Sequence, residues 1–180
     1  MRKLKNSELN RLGIEEFRKK TKIPLIIVLD NIRSLNNIGS VFRTADAFLI
    51  EKIYLCGISA QPPHKDIHKT ALGATETFEW AYAKDTLTLV QQLKKDNIKI
   101  VSVEQAVGST SLESFYPNKG DTYAVIFGNE VKGVSQQVVD VSDICLEIPQ
   151  FGTKHSLNIA VSCGVVLWDL FVKINLKTTT

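Results

Sequence analysis

Cysteine is scarce in this chain and badly placed for cross-linking. Cys56, Cys145 and Cys163 are odd in number, widely separated and never arranged as C-x-x-C. Such spacing gives neither a disulfide framework nor a zinc site, and the thiols are expected to pack as small apolar groups. Long hydrophobic runs are missing as well. No stretch approaches the roughly 18 apolar residues of a membrane span, and the opening MRKLKNSELNRLG lacks the apolar core of a secretory signal, so a cytoplasmic chain is expected. Glycine and proline number only 10 and 5, too few for a collagen-like or low-complexity chain. Several signatures are absent too. No G-x-G-x-x-G follows the first apolar run and no G-x-x-x-x-G-K-[ST] occurs, which disfavours Rossmann cofactor enzymes and P-loop NTPases. Without G-x-S-x-G or H-E-x-x-H there is no nucleophile elbow and no zincin helix. His64 and His68 stand four apart, but no third ligand is near them, and a surface segment is expected there instead of a metal site.

What the chain does contain is one ordinary core with a charged front end. A length of 180 residues, 44% hydrophobic and 23% charged, suits one globular domain. Residues 1–22 carry eight Lys or Arg against three Glu, a local +5 on a chain whose net charge is only +3. A basic arm on a near-neutral body suits attraction to a polyanion, although a solvated amphipathic helix would show the same pattern. Within it, residues 8–20 read as a short helix with Leu9, Leu12 and Phe17 inward. The apolar run Leu25–Leu29 after a proline reads as a strand buried on both faces, as in a parallel sheet. Ile38, Val41, Phe42, Ala45, Phe48 and Leu49 then repeat at three and four, predicting a helix over 37–49. The alternation continues with strands over 52–56, 76–82, 99–103, 123–127 and 144–148, and helices over 64–72, 86–95, 135–141 and 156–172. Strands alternating with helices predict an α/β fold with a mostly parallel sheet flanked by helices. Ligands of such sheets bind beyond the carboxyl ends of the strands, which singles out the loops Asp30–Asn37, Gly128–Gly133 and Pro149–Ser156.

Those loops carry the most specific patterns in the chain. LDNIRSLNNIGSVFRTADAF (29–48), IFGNEVKGVS (126–135) and IPQFGTKHSLNIAVSCGVVL (148–167), with KTALGATE (69–76) between the first two, resemble the signatures of the SpoU/TrmH RNA methyltransferases of the SPOUT class, in the expected order. The likeness covers about residues 24–172. It implies a SPOUT fold with a C-terminal deep trefoil knot, a homodimer with the active site near its interface, S-adenosylmethionine (SAM) as cofactor, and tRNA or rRNA as the partner methylated on a ribose 2′-oxygen. On this division residues 1–23 form a basic N-terminal extension and 24–180 the methyltransferase domain. Other SPOUT families methylate a base, and a non-catalytic RNA-binding protein on the same fold is a further alternative.

The resemblance also assigns residues. Arg43 matches an arginine that acts on the ribose hydroxyl; because arginine stays protonated, orienting the hydroxyl and steadying negative charge demands less of it than acting as a base. Asn37 precedes the helix, where it reads as a cap on its own account, and the family places a functional Asn there; Arg33 is a candidate phosphate contact. Glu130, after a buried strand, needs a partner, with Arg43 or Asn158 expected to supply it. Ser156 is the expected cap of the last helix and Asn158 a residue of its first turn. For the cofactor the matching positions are Gly128, Ile148, Leu157 and, more weakly, Val103. Gly133 and Gly152 suit loops where the backbone approaches a ligand or takes positive φ. Gln150 and Ser162 depart from the family pattern, so cofactor contacts there are expected to differ.

Overall fold

The computed structural model describes residues 1–176 of the chain, without the side chains of Asn6 and Leu176. Seven strands form one sheet in which every pairing is parallel, in the order β3-β2-β1-β6-β4-β7-β5. In chain order the elements are α1 (Ile14–Lys19), β1 (Ile23–Asp30), α2 (Leu35–Ala47), β2 (Ile50–Cys56), α3 (Lys65–Ala71), α4 (Ala74–Thr77), β3 (Trp80–Ala83) and α5 (Thr86–Lys95). There follow β4 (Lys99–Val103), β5 (Thr110–Ser111), β6 (Tyr123–Phe127), α6 (Gln136–Val141), β7 (Ile144–Glu147) and α7 (Ile159–Leu176).

The two central strands explain the architecture. β1 and β6 are buried on both faces, and alternate residues feed opposite layers. Leu25, Ile27 and Leu29 pack with Ile38, Val41 and Phe42 of α2, Ile67 of α3 and Cys163, Val166 and Leu167 of α7. Ile26, Val28, Ala124 and Ile126 pack on the other face with Val90 and Leu93 of α5 and Val138 of α6. Strand order reverses between β1 and β6: from β1 the chain winds outward through β2 to β3, and all later strands lie on the other side. The crevice beyond the carboxyl ends of that pair is where a ligand of such a sheet belongs.

Several boundaries differ from the sequence expectation. The helix expected over 8–20 shortens to α1; Leu9 and Leu12 are exposed and only Phe17 of the three is buried. The six residues of α1, fewer than two turns, leave Leu9 and Leu12 outside the helix, and Phe17 packs on Phe78. The strand expected over 76–82 divides, with α4 taking its first part and β3 starting at Trp80. The final helix begins at Ile159 and not at 156, because residues 151–158 form an exposed loop. Burial raises the thiols of Cys56, to about 12, and of Cys163, as expected for cysteines packed as apolar groups; Cys145 is half-buried.

Candidate active site

The site starts from a buried carboxylate. Asp30, the last residue of β1, is 2% exposed and accepts from Asn31 Nδ2 (2.8 Å), Thr86 Oγ1 (2.5 Å) and the Ser135 backbone N–H (3.3 Å). Three donors satisfy this buried carboxyl and tie the end of β1 to the starts of α5 and α6. Asn31 adopts a left-handed φ of 57°, which asparagine tolerates better than most residues. Its Oδ1 accepts from Ile58 N (3.1 Å), and its carbonyl accepts from Asn129 Nδ2 (2.7 Å). A Cβ on Gly57 would lie 2.1 Å from Asn31 Oδ1, so glycine is required where the two loops touch.

The loop after β6 folds on itself to present Glu130. Asn129 and Gly133 exchange backbone hydrogen bonds of 3.0 and 2.8 Å, and Asn129 Oδ1 accepts from the amides of Val131 and Lys132. Gly133 takes a positive φ of 68°, and a Cβ on Gly128 would lie 2.1 Å from the Gly133 and Val134 backbone. The glycine at 128 is therefore explained by the loop's own packing, whatever binds beside it. Glu104, just past β4, completes the clamp by accepting from the amides of Val134 (3.0 Å) and Gln105 (2.9 Å).

Glu130 then reaches across to the first loop. Its carboxylate accepts from Arg33 N (3.0 Å), Ser34 N (3.0 Å) and Asn37 Nδ2 (3.3 Å). Desolvation pushes this carboxyl upward, but the hydrogen bonds from Arg33, its own backbone, Ser34 and Asn37 outweigh it, and its pKa lies below the ordinary value. Asn37 Oδ1 in turn accepts from Asn158 Nδ2 (3.2 Å). Asn158 Oδ1 accepts from Ala160 N (2.9 Å), capping α7. Three of the expected site residues, Asn37, Glu130 and Asn158, therefore form one chain of hydrogen bonds at the sheet's reversal point.

The remaining expectations need correction. The cap of α2 is Ser34, whose Oγ accepts from Asn37 N (3.3 Å), and Asn37 lies in the first turn with its side chain free for Glu130. The cap of α7 is Asn158 and not Ser156; Ser156 is exposed and outside the network. Glu130 pairs with neither Arg43 nor, directly, Asn158; backbone amides and Asn37 satisfy it first. Arg43 projects from the exposed face of α2, and neither it nor the Arg33 guanidinium has a partner among the described residues. Asp30, Asn31, Glu104 and Asn129 were missed by sequence reasoning. Asp30, Asn31 and Asn129 lie inside the first two signatures, where a lone acid closing the apolar run LIIVLD and an Asn beside Glu130 could have marked them; Glu104 lies outside every signature.

The positions expected to hold a cofactor fall on adjacent strand ends. Val103 pairs with Phe127 and with Leu146, so Gly128 and Ile148 follow immediately beyond neighbouring strands. Leu157 lies on the loop that Gln105 Nε2 holds through the His155 carbonyl (2.7 Å). Along that loop the backbone N–H groups of residues 151–157 have no partner among the described residues, and Phe151 is 97% exposed.

Comparison with known proteins identifies the family and the fold. The profile of the SpoU rRNA Methylase family matches residues 24–168. The chain is 31% identical over 144 residues to a 23S rRNA (guanosine-2′-O-)-methyltransferase of Neisseria meningitidis, covering 80% of this chain and 56% of that protein. It is 28% identical over 160 residues to a tRNA 2′-O-methyltransferase of Aquifex aeolicus, covering 87% and 72%. It thus spans little more than half the length of the Neisseria relative, and 64% of that of a Vibrio cholerae one. Among solved structures, the Aquifex aeolicus TrmH/SpoU tRNA modifying enzyme superposes with a TM-score of 0.80 at 22% identity, over 92% of this chain and 84% of that one. An AdoMet-bound rRNA methyltransferase of Sinorhizobium meliloti gives 0.77 at 24% identity, over 85% and 58%. With the profile matched over most of its length and the fold shared with these structures, the chain belongs to the SpoU rRNA Methylase family.

Proposed function

We propose that this chain is a cytoplasmic SAM-dependent RNA methyltransferase that methylates a ribose 2′-hydroxyl of tRNA or rRNA. The observation that carries the reading is the Asn37–Glu130–Asn158 network at the sheet's reversal point, with an unpartnered Arg43 on the helix that Asn37 opens. The printed names of its relatives, 2′-O-methyltransferases of rRNA and tRNA, support the same chemistry. SAM would supply an electrophilic methyl group. Val103, Gly128, Ile148 and Leu157 would hold it, and the residues fit: exposed Phe151 and Leu157 offer an apolar wall and the free amides of residues 151–157 offer donors to an adenine. Arg43 orients the ribose hydroxyl and steadies the charge that develops on its oxygen. Glu130 and Asn158 fix Asn37 and the loop before α2, so that this helix is held at one angle to the cofactor loop. Ser156 and the Arg33 guanidinium, both exposed and unengaged, are available to the RNA.

The architecture expected of the class is also proposed. A homodimer is supported by an exposed apolar stripe on α7, where Val161, Val165 and Trp168 recur at four and three and Trp168 is 56% exposed. A trefoil knot is supported by two ties between the β4–β6 connection and the chain after β7: Gln105 to the His155 carbonyl, and Lys173 Nζ to the Leu112 carbonyl (2.7 Å). The domain is read as 24–180, its last four residues lying outside the described ones, with residues 1–23 as a basic extension.

Incubation with labelled SAM and either tRNA or rRNA, followed by nucleoside analysis, tests the reading. A 2′-O-methylnucleoside from one pool is the expected product, and a methylated base would overturn the assignment to ribose. Arg43→Ala is expected to lose about 10²–10⁴-fold in transfer while SAM binding is retained. Full activity in that variant would remove Arg43 from its role.

A further inference from the structure

A hollow outside the candidate active site lies against α3. Between α3, α4 and the edge strand β3 is an open hollow of about 480 Å³, lined among others by Pro62, Pro63, His64, His68, Glu76 and Trp80. Its size is within the roughly 300–1,000 Å³ of small-molecule sites. Its walls are an indole, two imidazoles and two proline rings, a surface suited to a flat heteroaromatic group. His64 caps α3 with Nδ1 accepting from Asp66 N (3.2 Å), which leaves its Nε2 free to donate.

The rim is basic. Lys65 and Lys69 are exposed on α3. The N-terminal arm is moored beside them: Phe17 packs on Phe78 with ring centroids 6.3 Å apart, and Arg18 donates to the Glu76 carbonyl (3.0 Å). That contact sets the Arg18 guanidinium at the edge of the hollow. The acids nearby are Asp66 on α3, Glu76 in the hollow, Glu15 and Glu16 on α1, and Glu79, which is paired with Lys52. On its other flank α3 packs against α2, where a Cβ on Gly39 would lie 2.1 Å from Thr70 Oγ1 and 2.3 Å from the Ile67 carbonyl, and where Thr70 donates to the Asn36 carbonyl. Helix α3 therefore stands between the hollow and α2, the helix that carries Arg43.

We infer that this hollow receives an unstacked nucleobase of the RNA, from a nucleotide flanking the one methylated, stacked on Trp80 and with its phosphates on Lys65, Lys69 and the arm. The inference rests on the proposed action on RNA and adds a recognition site distinct from the reacting one. Paired bases cannot enter such a hollow, so it selects single-stranded or looped segments.

Fluorine NMR of the full chain labelled with fluorotryptophan tests it, because Trp80 and Trp168 give separate signals that a Trp168→Phe variant assigns. Adding a short single-stranded oligoadenylate is expected to shift the Trp80 signal, and a blunt duplex RNA to leave it in place. Trp80→Ala is expected to weaken oligoadenylate binding roughly five- to a hundredfold. Should that variant fail to fold, Trp80→Phe, expected to retain most binding, and His64→Ala, expected to lose part of it, carry the same question. Oligoadenylate bound with the Trp80 signal unmoved, or a duplex that moves it equally, overturns the inference. A shifted Trp80 with no RNA labelled by SAM would keep this site and sink the proposed activity; labelled RNA with Trp80 indifferent would do the reverse.

Discussion

Glu130 shows how much one side chain organises at this site. It stands on an exposed loop, yet two backbone amides and one side-chain amide converge on its carboxylate. Replacing it with glutamine sets an NH₂ group against donors, so the loop before α2 loses its grip without any loss of side-chain volume. We expect Glu130→Gln to lower methyl transfer about a hundredfold through misplacement of that loop, with SAM affinity little changed. A rate within a few-fold of wild type would show that Glu130 does not position the site. The same group predicts a pH signature. Its pKa in the folded chain is lowered, so its contribution to stability is complete above the ordinary carboxylate range and is lost as pH falls through the lowered value. The stability gap between wild type and Glu130→Gln, measured by urea unfolding, should therefore narrow below about pH 4. A gap that stays constant down to the acid limb would contradict the hydrogen bonding described for this carboxylate.

Elements show which parts of the molecule could be read before folding. Strands β1, β6 and β4 announce themselves as short apolar runs, and α2 by its three-and-four spacing, because burial on both faces or on one stripe leaves a direct trace in composition. Helix starts were legible only to within a few residues. The expected caps are Asn37 and Ser156, whereas Ser34 and Asn158 hold those places, and Ser and Asn suit a cap equally well. What decides is tertiary: Asn37 is drawn to Glu130 and Asn158 to Asn37, across 93 and 121 residues, and no local spacing encodes that. Family signatures picked out these residues, but not the arrangement; Asp30 lies inside the first signature and Glu104 outside all of them, and neither could be given its partners, which stand at the start of α5 and in the chain just before α6. Gly39 is the clearest element-scale case. It reads as one more residue of a helix, yet it is where α2 and α3 touch. Gly39→Ala should cost about 1–3 kcal/mol by overpacking, read from the shift in denaturant midpoint. Adding Thr70→Ala should restore only part of it, because the Ile67 carbonyl at 2.3 Å is backbone and cannot be trimmed. Full restoration by the double variant would mean that α3 moves freely, and that its docking does not fix the distance between the hollow and Arg43.

At the scale of the whole molecule, the parallel sheet gives the chain one working edge, and charge lies unevenly around it. Lys52, Lys94 and Lys173 are each paired with an acid, whereas Arg33, Arg43, Lys132 and Lys154 around the candidate site have no such partner among the described residues. Whether the N-terminal arm extends that cationic surface to RNA or merely packs on the body can be settled by choosing the cut with care. Phe17 is buried against Phe78, so removing residues 1–22 would take an aromatic side chain out of the core and cost roughly 3 kcal/mol or more. Removing residues 1–12 keeps α1, including the bond from Gly13 N to Glu16 Oε2, and deletes Arg2, Lys3, Lys5 and Arg11 against Glu8 alone. Three net positive charges then disappear with the fold intact. If they meet phosphates, the slope of log affinity against log salt for tRNA should become shallower by about 2 to 3, since each neutralised phosphate contributes roughly 0.7–0.9. Unfolding free energy should be unchanged within error. An unaltered slope with intact folding would assign RNA binding to the chain beyond Leu12 and leave the first twelve residues a solvated extension.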